Sequence, residues 1–240
     1  MNTLSMEENN LALFVSQYLY WIIFIGIAIA SWIVQAVFES RFKRFSAVGL
    51  NMTGKEVAEM MLKRNGIDDV KVTCVNGHLT DHYNPTDKTV NLSEDVYNSA
   101  SVAAAAVAAH ECGHALQHAT EYAPLQMRSA LVPVVNFASQ WMTWVLLIGI
   151  LVVESFPQLL MAGICLFAMT TLFAFVTLPV EINASRRAIE WLESEGITDR
   201  ETTPMISSAL RSAAYTYVIA ALSSLATLIY YIMIVLGRRR

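Results

Sequence analysis

Four stretches without a charged residue, 18–38, 130–153, 159–178 and 212–236, dominate this chain of 240 residues. Each is at least 20 residues long, the length an α-helix needs to cross about 30 Å of hydrocarbon. A soluble domain would have to surround all four with other chain, and a composition 55% hydrophobic against 15% charged leaves little polar material to do so. The expected fold is therefore a mainly α-helical integral membrane protein with about four transmembrane helices. Ala28-Ile29-Ala30 resembles a small-residue cleavage site, but the apolar run continues to Phe38 and the leader carries Glu7 and Glu8 with no Lys or Arg. An uncleaved first span is the better reading.

Lys and Arg counts set the orientation. Residues 1–17 carry none, 39–129 carry nine, 154–158 none, 179–211 four and 237–240 three. Arg41, Lys43 and Arg44 follow directly on the first span, so the 39–129 and 179–211 segments are expected in the cytoplasm and the N-terminus outside. Arg238, Arg239 and Arg240 then fall on the wrong side, at the extreme C-terminus, where the rule is weakest. The resulting plan is an N-terminal segment and first span over 1–38, a cytoplasmic domain over 39–129, and two spans over 130–178. A cytoplasmic helix over 179–211 and a fourth span with a basic tail over 212–240 complete it.

Several functions are disfavoured at once. Sixteen Lys and Arg against twenty Asp and Glu give a net charge of −4, so no general basic surface exists for nucleic acid. The spans hold no ionisable ring or relay, which argues against a transporter or channel. Cys74, Cys112 and Cys165 form no CxxC pair and are expected as reduced thiols.

Within 39–129, Thr53-Gly54-Lys55-Glu56 has capping-box spacing, and Met52, Val57, Met60 and Met61 supply an apolar stripe for a helix ending near Asn65-Gly66. Val70 to Val75 alternates as a strand. Asn76-Gly77 predicts a hairpin returning through residues 78–83, with a third strand at 89–92 after the Pro85 turn. Residues 99–121 read as one helix. The expected unit is helix, small antiparallel sheet, helix.

That last helix contains His110-Glu111-Cys112-Gly113-His114, an H-E-x-x-H motif. Histidines four apart share a helical face and can bind one Zn²⁺, with Glu111 placed as general base. A catalytic zinc normally takes a third protein ligand. His118 lies a further turn on, about 12 Å from His110 along the axis at 1.5 Å per residue, too far to chelate the same ion; a structural or supporting role suits it better. The better third ligand is Glu181, just beyond the third span and behind Pro179. On the helix it heads, Ser185 shares its face and is placed to orient a zinc histidine through the other ring nitrogen. One zinc per chain is expected.

These residues carry a resemblance. His78-Leu79-Thr80-Asp81-His82-Tyr83-Asn84-Pro85, Val90-Asn91-Leu92-Ser93, Ser101-Val102-Ala103-Ala104, the metal motif, Leu131-Val132-Pro133, Leu178-Pro179-Val180-Glu181-Ile182-Asn183-Ala184-Ser185 and Ala213-Ala214-Tyr215-Thr216-Tyr217-Val218 together resemble the family of neutral zinc metallopeptidases of the YugP type. The likeness runs over nearly the whole chain from Thr53 onward. It implies a bacterial, membrane-integrated, zinc-dependent peptidase. The glutamate segment is also similar to the E-x-x-A-D helix of HtpX-like and CAAX-prenyl-type membrane zinc proteases, with Ser185 standing where those have Asp. Asn84 likewise stands where Asp is expected in the Tyr-x-Pro turn.

The expected activity is zinc-dependent endopeptidase hydrolysis by a small cytoplasmic zincin-like α+β domain at the inner-membrane surface. Glu111 takes a proton from a water made acidic by the metal. His82, Tyr83, Arg211 and Tyr215 are candidate donors to the tetrahedral oxyanion, by residue type alone. The strand before the active helix offers an edge for an extended substrate. Peptide or protein substrates are expected, including membrane proteins cut near their cytosolic ends, with the lipid bilayer as surroundings. The alternative is a zinc-stabilised membrane scaffold or adaptor, which a general-base Glu and the lack of a fourth ligand disfavour.

Overall fold

The computed structural model describes the backbone of residues 3–237 and the side chains of Tyr18 and residues 21–236. The side chains of Glu7 and Glu8 and all of residues 238–240, the expected basic tail, lie outside that description. In chain order the elements are helix α1 (Thr3–Ser46), α2 (Gly54–Arg64), strands β1 (Lys71–Val75), β2 (His82–Asn84) and β3 (Thr89–Ser93), then α3 (Glu94–Tyr97), α4 (Val102–Ala119), α5 (Ala123–Leu151), α6 (Pro157–Ser194) and α7 (Thr202–Gly237). Among the described residues, four helices are long and apolar enough to cross a membrane: α1 from Trp21, α5, α6, and α7.

The chain divides into two compact units. An all-helical unit comprises α1 up to Ile33, Val134–Ala174, and α7 from Ile219. Its buried core is small, with Leu146, Val153 and Leu160 at the centre and Met142, Ile164, Phe167 and Tyr231 around them. Trp32, Trp141, Trp144 and Leu151 stay exposed, a pattern stable only where the surroundings are themselves apolar.

A mixed unit comprises Val34–Pro133 and Phe175–Val218. Its core is conventional. Val57, Met61 and Leu62 of α2, Val90 and Leu92 of β3, the alanines of α4, Leu192 of α6 and Ile206 of α7 are buried together. Helix α2 begins where the capping box requires: Glu56 N–H donates to Thr53 Oγ1 and Thr53 N–H to the Glu56 carboxylate. It stops at Asn65, followed by Gly66 in the left-handed region at φ 69°. Helix α4 starts at a Ser101 cap whose hydroxyl accepts from Ala104 N–H.

The sheet departs from the sequence reading. Its order is β1-β3-β2, with β1 parallel to β3 and β2 antiparallel to it. Asn76-Gly77 therefore closes no hairpin, and the returning strand is only His82–Asn84. The reason is burial: Val90 and Leu92 are both fully buried, so β3 takes the central position and both neighbours pair with it. The hairpin that forms is the β2–β3 turn at Pro85, where Asn84 Oδ1 accepts from Thr86 N–H. The 76–81 segment instead reaches α3 through His78 Nδ1 and Asp95 Oδ2 at 2.8 Å.

A second departure is at Pro179, which does not separate a span from a new helix. Helix α6 runs through it without interruption to Ser194. Proline removes one ladder hydrogen bond, a loss that long apolar helices tolerate where neighbouring groups satisfy the freed carbonyl. Helix α6 thus carries both apolar span residues and Glu181.

Candidate metal centre

Helix α4 lies buried along most of its length in the mixed unit, and its small residues allow that. An added Cβ at Gly113 would sit 2.7 Å from the Ala184 carbonyl oxygen and 3.1 Å from Ala184 Cα. Glycine at the fourth motif position is thus what lets α4 and α6 approach backbone to backbone. The approach sets Glu181, one turn before Ser185, against the histidine face of α4.

His110, His114 and Glu181 each turn one ligand atom to a common point, and these atoms all lie within 4.8 Å of one another. Glu181 Oε2 is 3.3 Å from His110 Nε2 and 3.6 Å from His114 Nε2. Tetrahedral ligands at about 2.05 Å from a zinc ion are separated from each other by roughly 3.3 Å, so the set needs little adjustment to hold one. The other ring nitrogens are already engaged. Ser185 Oγ lies 3.1 Å from His110 Nδ1, as the helical spacing predicts. His114 Nδ1 lies 3.1 Å from Gln117 Oε1. Gln117 is fully buried, and its amide nitrogen donates to Val180 O at 2.8 Å and Asn183 Oδ1 at 3.0 Å. Its oxygen therefore accepts the His114 Nδ1 proton, which leaves Nε2 with a free lone pair for a metal. Arg187 Nε completes the chain by donating to Asn183 Oδ1 at 2.8 Å.

Charge is arranged to match. Burial opposes an imidazolium at His114, yet the Glu181 hydrogen bond and the Glu111 and Glu181 charges outweigh it and raise the His114 pKa. The pocket thus favours positive charge at this point. Arg128 Nη1 sits 3.3 Å from Glu181 Oε1, holding one carboxylate oxygen and leaving Oε2 toward the histidines. The donor set and its supporting bonds fit zinc.

Glu111 points to the side of the histidines facing the sheet. Tyr83 N–H donates to Glu111 Oε2 at 3.0 Å, so β2 fixes this carboxylate by its open edge. Asp81, accepting from Ser93 N–H at 2.7 Å and from its hydroxyl, anchors the start of that strand. Burial raises the Asp81 pKa, against the lowering effect of the Ser93 bonds and with the Glu111 charge adding to it.

Two cavities adjoin His110, Glu111 and Glu181. One of about 470 Å³ also touches His82, Tyr83, His118, Arg128 and Tyr217. The other, of about 260 Å³, is bounded mainly by apolar side chains. His118 is not one of the metal-facing groups: its Nδ1 meets the Tyr83 hydroxyl at 2.9 Å. His82 has both ring nitrogens occupied, by Thr80 O and the Asn91 amide. Arg211 and Tyr215 line neither cavity. Positions 210, 213, 214 and 217 of α7 share the face that does, so Tyr217 rather than Tyr215 borders the cavities.

Sequence reasoning gave no role to Gln117, Arg187, Arg128, Tyr217 or Gly113, although Gly113 and Tyr217 stand inside the motifs that carry the family resemblance. The spacing of Gln117 three residues after a motif histidine is a usable signal for the first. Arg128 is brought in by tertiary structure and left none.

Residues 20–236 match the family model described as "Putative neutral zinc metallopeptidase". The chain is 44% identical over 203 residues to "Putative membrane protease YugP" of Bacillus subtilis (strain 168), an alignment covering 84% of this chain and 89% of the relative. No solved structure matches it. With four apolar helices and a three-donor metal cluster already in place, the chain belongs to the neutral zinc metallopeptidase family.

Proposed function

We propose that this protein is a membrane-integrated zinc endopeptidase of the gluzincin type, cutting peptide bonds at the cytoplasmic surface of a bacterial inner membrane. The observation that carries the reading is the convergence of His110, His114 and Glu181 on one point beside a second carboxylate, Glu111, that is not one of the three donors. A structural zinc site would be closed by a fourth ligand, commonly Cys. Cys112 is fully buried away from the donors, with its thiol toward the Ala58 carbonyl.

Zinc, when bound, supplies Lewis acidity to the scissile carbonyl and makes a water molecule a better acid. Glu111 accepts that water's proton, and the Tyr83 N–H on its Oε2 orients the carboxylate for the transfer. The same carboxylate then returns the proton to the leaving amine. Ser185 and Gln117 hold the two imidazoles in the tautomer that turns Nε2 inward. Arg128 fixes the Glu181 carboxylate. Arg128 and Tyr217, in the larger cavity, are the donors best placed by type to stabilise negative charge on the substrate oxygen. The open edge of β2 in that cavity suits an extended peptide.

The cytoplasmic assignment rests on the Lys and Arg distribution. Helix α6, with 38 residues, is about 57 Å long at 1.5 Å per residue, against about 30 Å of hydrocarbon. Its Glu181 end therefore emerges from the membrane, and membrane proteins cut near their cytosolic ends are the substrates nearest to hand. The test is digestion of unfolded casein by the zinc-loaded protein in detergent. Wild type is expected to cleave and Glu111→Gln to lose at least about 100-fold in rate while keeping its metal. Stoichiometric zinc with no cleavage by wild type would favour the scaffold instead.

A further inference from the structure

The bond between His114 Nδ1 and Gln117 Oε1, 3.1 Å long, fixes the ring only if the Gln117 amide cannot turn over. Turned over, it would aim an N–H at Nδ1, drive the ring proton to Nε2 and leave Nε2 without the lone pair a metal needs. Two groups decide which way the amide faces. Val180 O, 2.8 Å from Gln117 Nε2, is a backbone carbonyl and only accepts. Asn183, at 3.0 Å, is itself an amide and could present either end. Its Oδ1 is turned to Gln117 because the same oxygen accepts from Arg187 Nε at 2.8 Å, and a guanidinium has donors only. The order is thus set from Arg187 inward: Asn183, then Gln117, then the His114 ring.

Arg187 is itself held in place. Half-buried on α6 one turn beyond Asn183, it carries its guanidinium carbon over the Tyr122 ring, 6.0 Å from the centroid. Tyr122 reaches that position because the chain leaves α4 through Glu121 at φ 50°, a left-handed conformation unusual for a residue with a Cβ. Such a conformation persists where its surroundings over-determine it, and here Tyr122 N–H donates to Gln117 O at 2.9 Å. Gln117 therefore anchors through its backbone the ring that steadies Arg187, and receives through its side chain the orientation that Arg187 sets.

We propose that Arg187 is a positioning residue for the metal centre: standing outside the donor set, it fixes the metal-binding tautomer of His114 through Asn183 and Gln117, with Tyr122 holding it in place. The inference rests on the zinc reading of His110, His114 and Glu181 and is independent of what the centre hydrolyses. Its sign separates it from a simple charge effect. By Coulomb's law alone a nearby cation opposes Zn²⁺, so removing Arg187 would tighten zinc binding. Positioning requires the opposite.

The test measures zinc affinity of the full-length protein in detergent, by competition with a chelator, for wild type, Arg187→Met and Arg187→Lys. Methionine keeps much of the side-chain length and has no donor, whereas lysine keeps a donor-only end. Arg187→Met is expected to lose at least about ten-fold in affinity, the lower end of the range for groups that support metal ligands. Arg187→Lys is expected to stay within a few-fold of wild type. In zinc-loaded protein labelled with nitrogen-15 histidine, the His114 Nδ1 proton is expected to exchange slowly in wild type and several-fold faster in Arg187→Met. A loss of packing away from the ring would not move that signal. Unchanged or tighter zinc binding in Arg187→Met overturns the proposal, as does an equal loss in both variants. If the methionine variant does not fold, wild type decides the matter: a His114 Nδ1 proton that exchanges as fast as that of a free imidazole overturns it. Wild type that binds no zinc would remove the metal site and the proposal with it, whereas zinc-binding wild type with an indifferent Arg187→Met would remove the proposal alone.

Discussion

Gly149 and Gly113 mark close helix contacts in the two units, and their surroundings differ. An added Cβ at Gly149 would lie 2.7 Å from Leu160 Cα, and one at Gly113 equally close to the Ala184 oxygen. Gly149 meets Leu159 and Leu160, and Leu160 belongs to an apolar cluster with Leu146 and Ile164. Around Gly113 the two helices are joined by His110 to Ser185, Gln117 to Val180 and Asn183, and both histidines to Glu181. Dispersion has little direction, so an apolar crossing tolerates a small slide at modest cost. A polar crossing does not, because a slide of one ångström leaves several buried groups unpaired at once. The small residue gives proximity in both places; the hydrogen bonds make proximity into a defined metal geometry in only one.

Valine substitutions should break the comparison most sharply. Gly113→Val is expected to push α6 away and weaken zinc binding by more than about 100-fold, as supporting contacts alone are worth 10–100-fold. Gly149→Val is expected to cost about 1–3 kcal/mol of stability with zinc affinity within a few-fold of wild type. Metal titration against a chelator, alongside thermal unfolding, separates the two. Equal loss of zinc in both would show that the crossings are not independent in function.

Gln117→Leu sharpens the same point. It fills a similar volume, but it strands the His114 Nδ1 proton and removes the amide bonds to Val180 O and Asn183 Oδ1. A loss of about 10–100-fold in zinc affinity is expected, with Gln117→Glu recovering part of it because a carboxylate still accepts the His114 proton. No change in affinity for the leucine variant would reduce Gln117 to a packing residue.

Thiol labelling probes a smaller difference. Cys74 is exposed on β1 and Cys112 is buried in α4, where burial, reinforced by the Glu111 charge, pushes its thiol pKa far up. A water-soluble maleimide should modify Cys74 within minutes and leave Cys112 untouched until the mixed unit unfolds. Fast labelling of Cys112 in the folded protein would mean that α4 opens locally.

The smallest expected effect is at Asp81. Its folded pKa is raised, by burial first, so the native state holds this proton more firmly than the unfolded chain does. Stability from that source is present below the ordinary Asp range and is lost as pH rises through the raised value. Asp81→Asn keeps an acceptor for Ser93 and removes the charge. Its stability should fall less than wild type's between pH 4 and pH 7, by under about 1 kcal/mol.

The parts of this molecule legible in the sequence are those governed by local spacing. The capping box at Thr53 and Glu56, the His110 and His114 face, and the apolar stretches all depend on residues within one or two turns, or on length alone. Glu181 and Ser185 were also accessible, because i and i+4 on a helix define a face whatever that helix packs against. The sheet order was not. Asn76-Gly77 is a strong local turn signal, but the strand that must be buried is β3, and that competition is settled by tertiary packing. Pro179 misled for a related reason, since a proline that would end a helix in water is carried within a long apolar one. Arg128 reaches the metal centre by tertiary packing alone, and Tyr217 stands in the Ala213–Val218 motif without any spacing that would tie it to the histidines.

The central claim is that His110, His114 and Glu181 together hold one zinc beside Glu111. It is tested most directly by measuring zinc per chain in purified wild type, Glu181→Ala and Glu111→Gln after equilibration with a competing chelator. About one zinc is expected in wild type and in Glu111→Gln, and loss of zinc from Glu181→Ala. Full zinc retention by Glu181→Ala would contradict it.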